Sequence, residues 1–175
     1  TLTIATSAPK EGPRPANMAS DGIVLSGAGM AGVLSEAGSP GADPVANMPM
    51  PGSSTVSIEV YQDYLCPACK AFDEANAQQI QTLVEAGAAT LEVHPIGMLA
   101  NQSAGTKYSI RSTAAAACVA NYSPDTFWKV NQAFYANQPQ EGTPGLNDDE
   151  ITALIDAQKP KNQAKIAKCI KDKTF

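Results

Sequence analysis

A chain of 175 residues suits one globular domain, with room for a tail. Its 43% hydrophobic and 17% charged residues are ordinary for a foldable soluble chain, and a net charge of −5 argues against a general nucleic-acid binder, which needs a basic face. No run is long enough to span a bilayer, and the first residue is Thr1 rather than Met, which fits a removed signal or anchor as well as a trimmed chain.

Residues 1–54 hold eight of the thirteen Gly, seven of the thirteen Pro and four of the five Met. They read as a flexible Gly/Pro/Ala-rich N-terminal extension, a spacer rather than a folded unit. One short apolar run, Ile23-Val24-Leu25, is suited to an edge strand. The scattered Met residues have no His or Cys beside them, so they make a poor soft-metal site.

The first firm strand is Val56–Tyr64. Val56, Ile58 and Val60 fall on one face and Ser57, Glu59, Tyr61 and Asp63 on the other, with bulk on both, as in a strand covered on two sides. Cys66-Pro67-Ala68-Cys69 follows, and a helix is expected from Pro67 to about Glu85. Its inward stripe reads Cys69, Phe72, Asn76, Ile80 and Leu83, widened by Ala75 and Val84. Gly87 is a suitable stop. Thr90–Val93 is the next strand, closed by His94-Pro95, where His94 reads as a turn residue. Strand, helix and strand with a short return make a parallel βαβ unit.

From about Ser103 onward the pattern is helical. Ile110, Ala114, Ala117 and Cys118 share one face. Ser123-Pro124-Asp125 opens a helix that presents Phe127, Val130, Phe134 and Tyr135 to a core, with Trp128 as a further core residue. Asn147 and Glu150 have capping-box spacing and open Asp148–Gln158. A last helix, Asn162–Lys171, presents Ile166, Cys169 and Ile170 together. Six of the twelve basic residues lie between Lys159 and Lys173, at the spacing of a solvated helix face. The expected organisation is 1–54 extension, 55–101 βαβ with the cysteine motif, and 102–175 helical insertion.

The cysteine motif carries the chemistry. Pro67 fixes φ at a helical value where a missing N–H costs nothing, so the helix begins at the motif. Cys66 then sits at the helix N-terminus, where unpaired N–H groups and the dipole favour a thiolate. Cys69 lies about one turn further in, within reach of a mixed disulfide on Cys66. Half of a zinc site is the rival reading of Cys-x-x-Cys, but no second ligand pair at knuckle spacing exists. A disulfide closing so small a loop for structure alone would restrict the unfolded chain little. Two further cysteines in so short a chain favour an extracytoplasmic protein, secreted or anchored at the cell envelope.

The run Tyr61-Gln62-Asp63-Tyr64-Leu65-Cys66-Pro67-Ala68-Cys69 resembles the active-site segment of DsbA-like thiol–disulfide oxidoreductases, above all the extracellular forms of high-GC Gram-positive bacteria. The order of elements over about 55–175 is similar too. The resemblance implies an α/β thioredoxin-like fold with an inserted α-helical domain. It implies oxidation of reduced exported proteins, with Cys66 as nucleophile, Cys69 as resolving thiol and Pro67-Ala68 as the motif between them. No cofactor or metal is implied; a membrane partner of the VKOR or DsbB type would reoxidise the pair. Some relatives carry a second, structural disulfide in the helical domain, and Cys118 and Cys169 sit in matching places. A second redox relay is the alternative for that pair. The same Cys66–Cys69 site would also serve a reductase or isomerase, and a redox-inactive binding domain is a third reading.

Two departures from the family pattern stand out. The C-terminal strands and the cis-proline loop are missing from the sequence; Thr143-Pro144 precedes a turn and a helix cap, not a strand. Ala68 stands where strong oxidases of this kind carry His, so a less oxidising disulfide is expected. A buried acid beneath the resolving cysteine is the remaining candidate site feature. Glu59 is the proposed proton relay, one residue further from Cys69 than expected, with Asp63 as the alternative. Lys70 reads as a solvated helix lysine.

Overall fold

The computed structural model describes residues 12–48 and 52–175. A four-stranded sheet carries helices on one face. Its strands are β1 (Ile23–Ser26), β2 (Ala31–Gly32), β3 (Val56–Gln62) and β4 (Ala89–Pro95), in the order β2-β1-β4-β3. β3 and β4 are parallel, with Ile58 opposite Leu91 and Val60 opposite Val93. Helix α1 (Pro67–Glu85) makes the crossover between them, with Gly87 in the left-handed conformation after it. This is the βαβ unit the periodicity predicts.

The N-terminal segment differs from expectation. Between 12 and 48 it is built into the fold, and β1 is an interior strand, not an edge: it pairs antiparallel with β4 on one side and β2 on the other. The reason is burial. Ile23 and Leu25 alternate onto the helix-covered face at 0% exposure, and Met18 and Met30 are buried with them. Two of the scattered methionines are therefore core residues. Asn17 ties the segment down: its Nδ2 donates to the Ala120 carbonyl at 2.8 Å, and its Oδ1 accepts from the Ser35 N–H at 2.9 Å.

β3, by contrast, lies at the edge of the described sheet rather than under cover on both sides. Its outer face is open, with Glu59 exposed and Tyr61 59% exposed. The inward stripe of α1 is also displaced from the expected one. Cys69, Ala77 and Ile80 are half-buried and Val84 is buried, whereas Phe72, Ala75 and Leu83 face out. A stripe through 69, 73, 77, 80 and 84 obeys helical spacing as well as one through 72 and 83. Packing against the sheet chooses between them.

Four more α-helices follow among the described residues: α2 (Tyr108–Tyr122), α3 (Phe127–Ala136), α4 (Asp148–Asp156) and α5 (Gln163–Asp172). On α2 the core face is Tyr108, Ser112, Ala115, Ala116 and Val119, while Ile110 is 48% exposed. Ser123 does not cap a helix with its side chain. A 3-10 turn (Pro124–Thr126) intervenes, and the Ser123 hydroxyl accepts the Lys161 N–H at 3.0 Å. The Asn147–Glu150 capping box forms as expected. Phe127, Trp128, Val130, Phe134 and Tyr135 are buried on α3, and Ile166, Cys169 and Ile170 on α5. Cys118 of α2 and Cys169 of α5 are joined in a disulfide inside this helical layer.

Candidate active site

Cys66 is the residue that caps α1. Its backbone is extended (φ −76°, ψ 117°), Pro67 occupies the first helical turn, and no side chain caps the end. A thiol there meets the positive end of the helix with no competing acid in the first turn. The Cys66 N–H donates to the Asp63 carbonyl at 3.0 Å, which closes the turn between β3 and α1. Gln138, just beyond α3, donates through Nε2 to the Cys66 carbonyl at 3.0 Å and to the Tyr64 carbonyl at 3.2 Å. The helical layer thus grips the backbone of the motif and leaves the sulfur free.

Cys66 and Cys69 are free thiols, both half-buried, and Pro67 and Ala68 between them are exposed. Burial pushes the Cys69 thiol above its ordinary value; a backbone hydrogen bond from Asp63 pulls it back, and the neighbouring Cys66 thiol pushes it up again. Burial therefore favours the protonated form of Cys69. Cys118 and Cys169 satisfy one another elsewhere and offer no second ligand pair for a zinc site at the motif.

The buried acid of the site is Asp63, not Glu59. Asp63 is 0% exposed; Oδ1 accepts the Leu65 N–H and Oδ2 the Leu99 N–H, each at 2.8 Å. One carboxylate therefore fixes the approach to Cys66 and the loop after β4 together. Glu59 points to the open face of the sheet, because β3 runs straight and no bulge carries its side chain inward. It lines an open groove with Tyr61, Ala68, Cys69 and Phe72, so it shares a solvent-open groove with the second cysteine of the motif. Exposed Tyr61 and Phe72 give that groove apolar walls.

His94 is a strand residue rather than a turn residue. It is 5% exposed, its ring stacks on Tyr61 with centroids 4.3 Å apart, and its Nε2 lies 3.1 Å from Glu92 Oε1. Ser20 and Asn47 of the N-terminal segment also bond Glu92 Oε1. Lys70 pairs with Glu74 at 3.7 Å. Pro144 belongs to the stretch leading to the α4 cap, and no cis peptide bond occurs among the described residues. Gln138 and Tyr135 were not singled out for the site by sequence. Gln138 follows α3 in a loop with no period to mark it, and Tyr135 reads only as core.

Comparison with known proteins follows the same lines. The model of a family described as thioredoxin matches residues 52–175. In fold, the chain is similar to oxidised DsbA of Mycobacterium tuberculosis, with a TM-score of 0.66 and 22% identity over 86% of this chain and 69% of that one. It is similar to the reduced disulfide bond oxidoreductase DsbG of the same organism, with a TM-score of 0.63 and 27% identity over 71% and 61%. MdbA of Corynebacterium matruchotii, a thiol–disulfide oxidoreductase, aligns with a TM-score of 0.63 and 14% identity over 97% and 70%. Among curated proteins, the serine/threonine-protein kinase PknE of Mycobacterium tuberculosis is 30% identical over 125 residues, which is 69% of this chain and 22% of the kinase. The chain thus spans about a fifth of that curated relative.

Proposed function

This chain belongs to the thioredoxin family, and from that premise we propose that it is an extracytoplasmic thiol–disulfide oxidoreductase that introduces disulfides into exported proteins through Cys66 and Cys69. The observation that carries the reading is the division of labour within the pair. Cys66 sits uncapped at a helix N-terminus, and burial favours the protonated form of Cys69 one turn on. In the oxidised protein a substrate thiolate attacks Cys66 Sγ; the Cys66–Cys69 bond breaks and its electron pair passes to Cys69. A second substrate thiolate then attacks the substrate sulfur of the mixed disulfide and expels Cys66 as a thiolate. Two electrons move from substrate to protein.

Cys118–Cys169 serves structure in this scheme, because it lies inside the helical layer with no helix start beside it. Glu59 is proposed to pass protons between Cys69 and solvent through the open groove they share. Reduced exported proteins are the substrates, and a membrane partner of the VKOR or DsbB type restores the disulfide. Among the described residues no helix is long and apolar enough to cross a membrane.

The test is the equilibrium of the pair with glutathione, together with turnover on a peptide dithiol. Catalytic oxidation with a potential of about −120 to −180 mV supports the dithiol oxidase. A value near about −270 mV moves the assignment to a reductase or isomerase working through the same pair. A pair that does not cycle leaves a redox-inactive binding domain. The likeness to a fifth of a serine/threonine-protein kinase favours one further reading, the same thiol pair as a redox-responsive part of a longer signalling protein. That reading requires stoichiometric exchange without turnover.

A further inference from the structure

The turn that carries Cys66 out of the sheet, Tyr64-Leu65-Cys66, is held from two sides. From the sheet side, Asp63 accepts the Leu65 N–H through Oδ1 at 2.8 Å and the Cys66 N–H through its carbonyl at 3.0 Å. From the helical layer, Gln138 Nε2 donates to the Cys66 carbonyl at 3.0 Å and to the Tyr64 carbonyl at 3.2 Å. Both partners are carbonyls, so only the nitrogen end of the amide can sit between them. Among the described residues no other donor reaches the Tyr64 carbonyl. Asn131, Phe134, Tyr135 and Gln138 recur at three- and four-residue spacing along α3 and just past its end, which puts them on one face. That face meets the turn. Asn131 Oδ1 accepts the Tyr64 hydroxyl at 3.0 Å, and the Phe134 and Tyr135 ring centroids lie 4.4 and 5.5 Å from that of Tyr64. Gln138 itself is half-buried, and its N–H donates to the Tyr135 carbonyl at 3.2 Å, which ties its backbone to the end of α3.

We infer that Gln138 is a positioning residue for the thiol exchange: its two hydrogen bonds hold Cys66 in the N-cap conformation, which keeps the sulfur at the N-terminus of α1. The inference rests on the oxidoreductase reading above. In the step concerned, a substrate thiolate bonds to Cys66 Sγ, the Cys66–Cys69 bond breaks and its electron pair passes to Cys69. A second substrate thiolate then expels Cys66 as a thiolate, and Gln138 keeps both amide protons throughout. The favourable field of a helix end fades within its first turn. Its effect on Cys66 therefore depends on the N-cap backbone (φ −76°, ψ 117°) that places the sulfur. A neutral amide brings no charge of its own, so Gln138 acts through that backbone.

Gln138→Met keeps the length of the side chain and removes the donor. Asn147→Ala is the control, because it breaks the α4 capping box, a stabilising feature with no bond to the motif. Two readouts are taken on the full chain. One is the pH profile of Cys66 alkylation in Cys69→Ser protein, located by mass spectrometry. The other is kcat and KM for oxidation of a peptide dithiol with both cysteines present and glutathione disulfide as oxidant. Gln138→Met is expected to move the Cys66 profile to higher pH and to lower kcat about tenfold with KM unchanged, since small misplacements of a reacting group are costly in rate. Asn147→Ala should lower the melting temperature and change neither readout. If Gln138→Met does not fold, Gln138→Asn, which withdraws the amide by one methylene, is expected to move the profile the same way. An unmoved Cys66 profile in the folded variant, or an equal shift with Asn147→Ala, overturns the inference. If wild-type protein does not oxidise the dithiol, the oxidoreductase reading fails, while the alkylation profile still decides whether Gln138 positions Cys66.

Discussion

Two pairs of cysteines in one chain meet opposite surroundings. Cys66 and Cys69 stand three positions apart at the mouth of α1, free and half-exposed. Cys118 and Cys169 stand 51 positions apart and cross-link α2 to α5, both almost fully buried. A bond across three residues restricts the unfolded chain little, so the first pair has little structural reason to stay oxidised. Closing a loop of 51 restricts it a great deal, and burial shields that bond from attack. Position in the fold, more than the sulfur itself, separates the free thiol pair from the cross-linked one.

The sharpest way to break this comparison is Cys66→Ser. Oxidation of a peptide dithiol should fall to background while the Cys118–Cys169 disulfide remains intact by mass spectrometry. Activity retained at a tenth of wild type would place the redox site elsewhere. Next in size is the double change Cys118→Ala with Cys169→Ala. Loop entropy predicts a loss of about 4 kcal/mol. For a chain of this size that corresponds to a melting temperature lowered by roughly 8–16 °C in calorimetry. Exchange at Cys66 should stay within about twofold of wild type, and a larger fall would mean that the second pair relays electrons.

Asp63→Ala sharpens the contrast from the other side, since the motif is held by hydrogen bonds where the staple is held covalently. Losing two bonds to one buried carboxylate should cost about 3 kcal/mol in denaturant unfolding. It should also loosen the Leu99 loop, visible as faster amide exchange at Leu65 and Leu99. Wild-type protection at both amides would show that the carboxylate is dispensable.

The smallest effect is one of pH. The Cys69 thiol is raised above 9.0 in the folded protein, so the folded state keeps this proton longer than the unfolded chain does. Its contribution to stability is whole below pH 9.0 and is lost as pH rises through the shifted value. Reduced wild type should therefore lose stability faster than Cys69→Ser between neutral and alkaline pH. Parallel curves would show that burial does not hold the thiol. The cross-linked pair has no proton to lose and adds nothing to this slope.

Much of this site was legible before any coordinates. Pro67 and the two flanking cysteines place a thiol pair at a helix start through local geometry alone. The βαβ unit follows from the period-2 run, the helical run and the Gly87 stop. The acid was harder to read. Glu59 and Asp63 both occupy plausible positions on the strand, and alternation puts them on the same face. What separates them is the Leu99 N–H, 36 residues away, which no local pattern contains. His94 is similar: beside Pro95 it looks like a turn, but pairing with Tyr61 keeps it in the strand.

Local physics in the sequence therefore determined the thiol pair at a helix start, the parallel crossover and the capping box. Each needs only residues within about one turn or one alternation of each other. Tertiary structure decided which stripe of α1 packs on the sheet, that Ile23–Ser26 joins the interior of the sheet, and that Asp63 is the buried carboxylate. It also set the Tyr135 ring against Tyr64, two residues before the motif. These depend on which surfaces meet at long range, and burial and hydrogen-bond partners come into being only when they do.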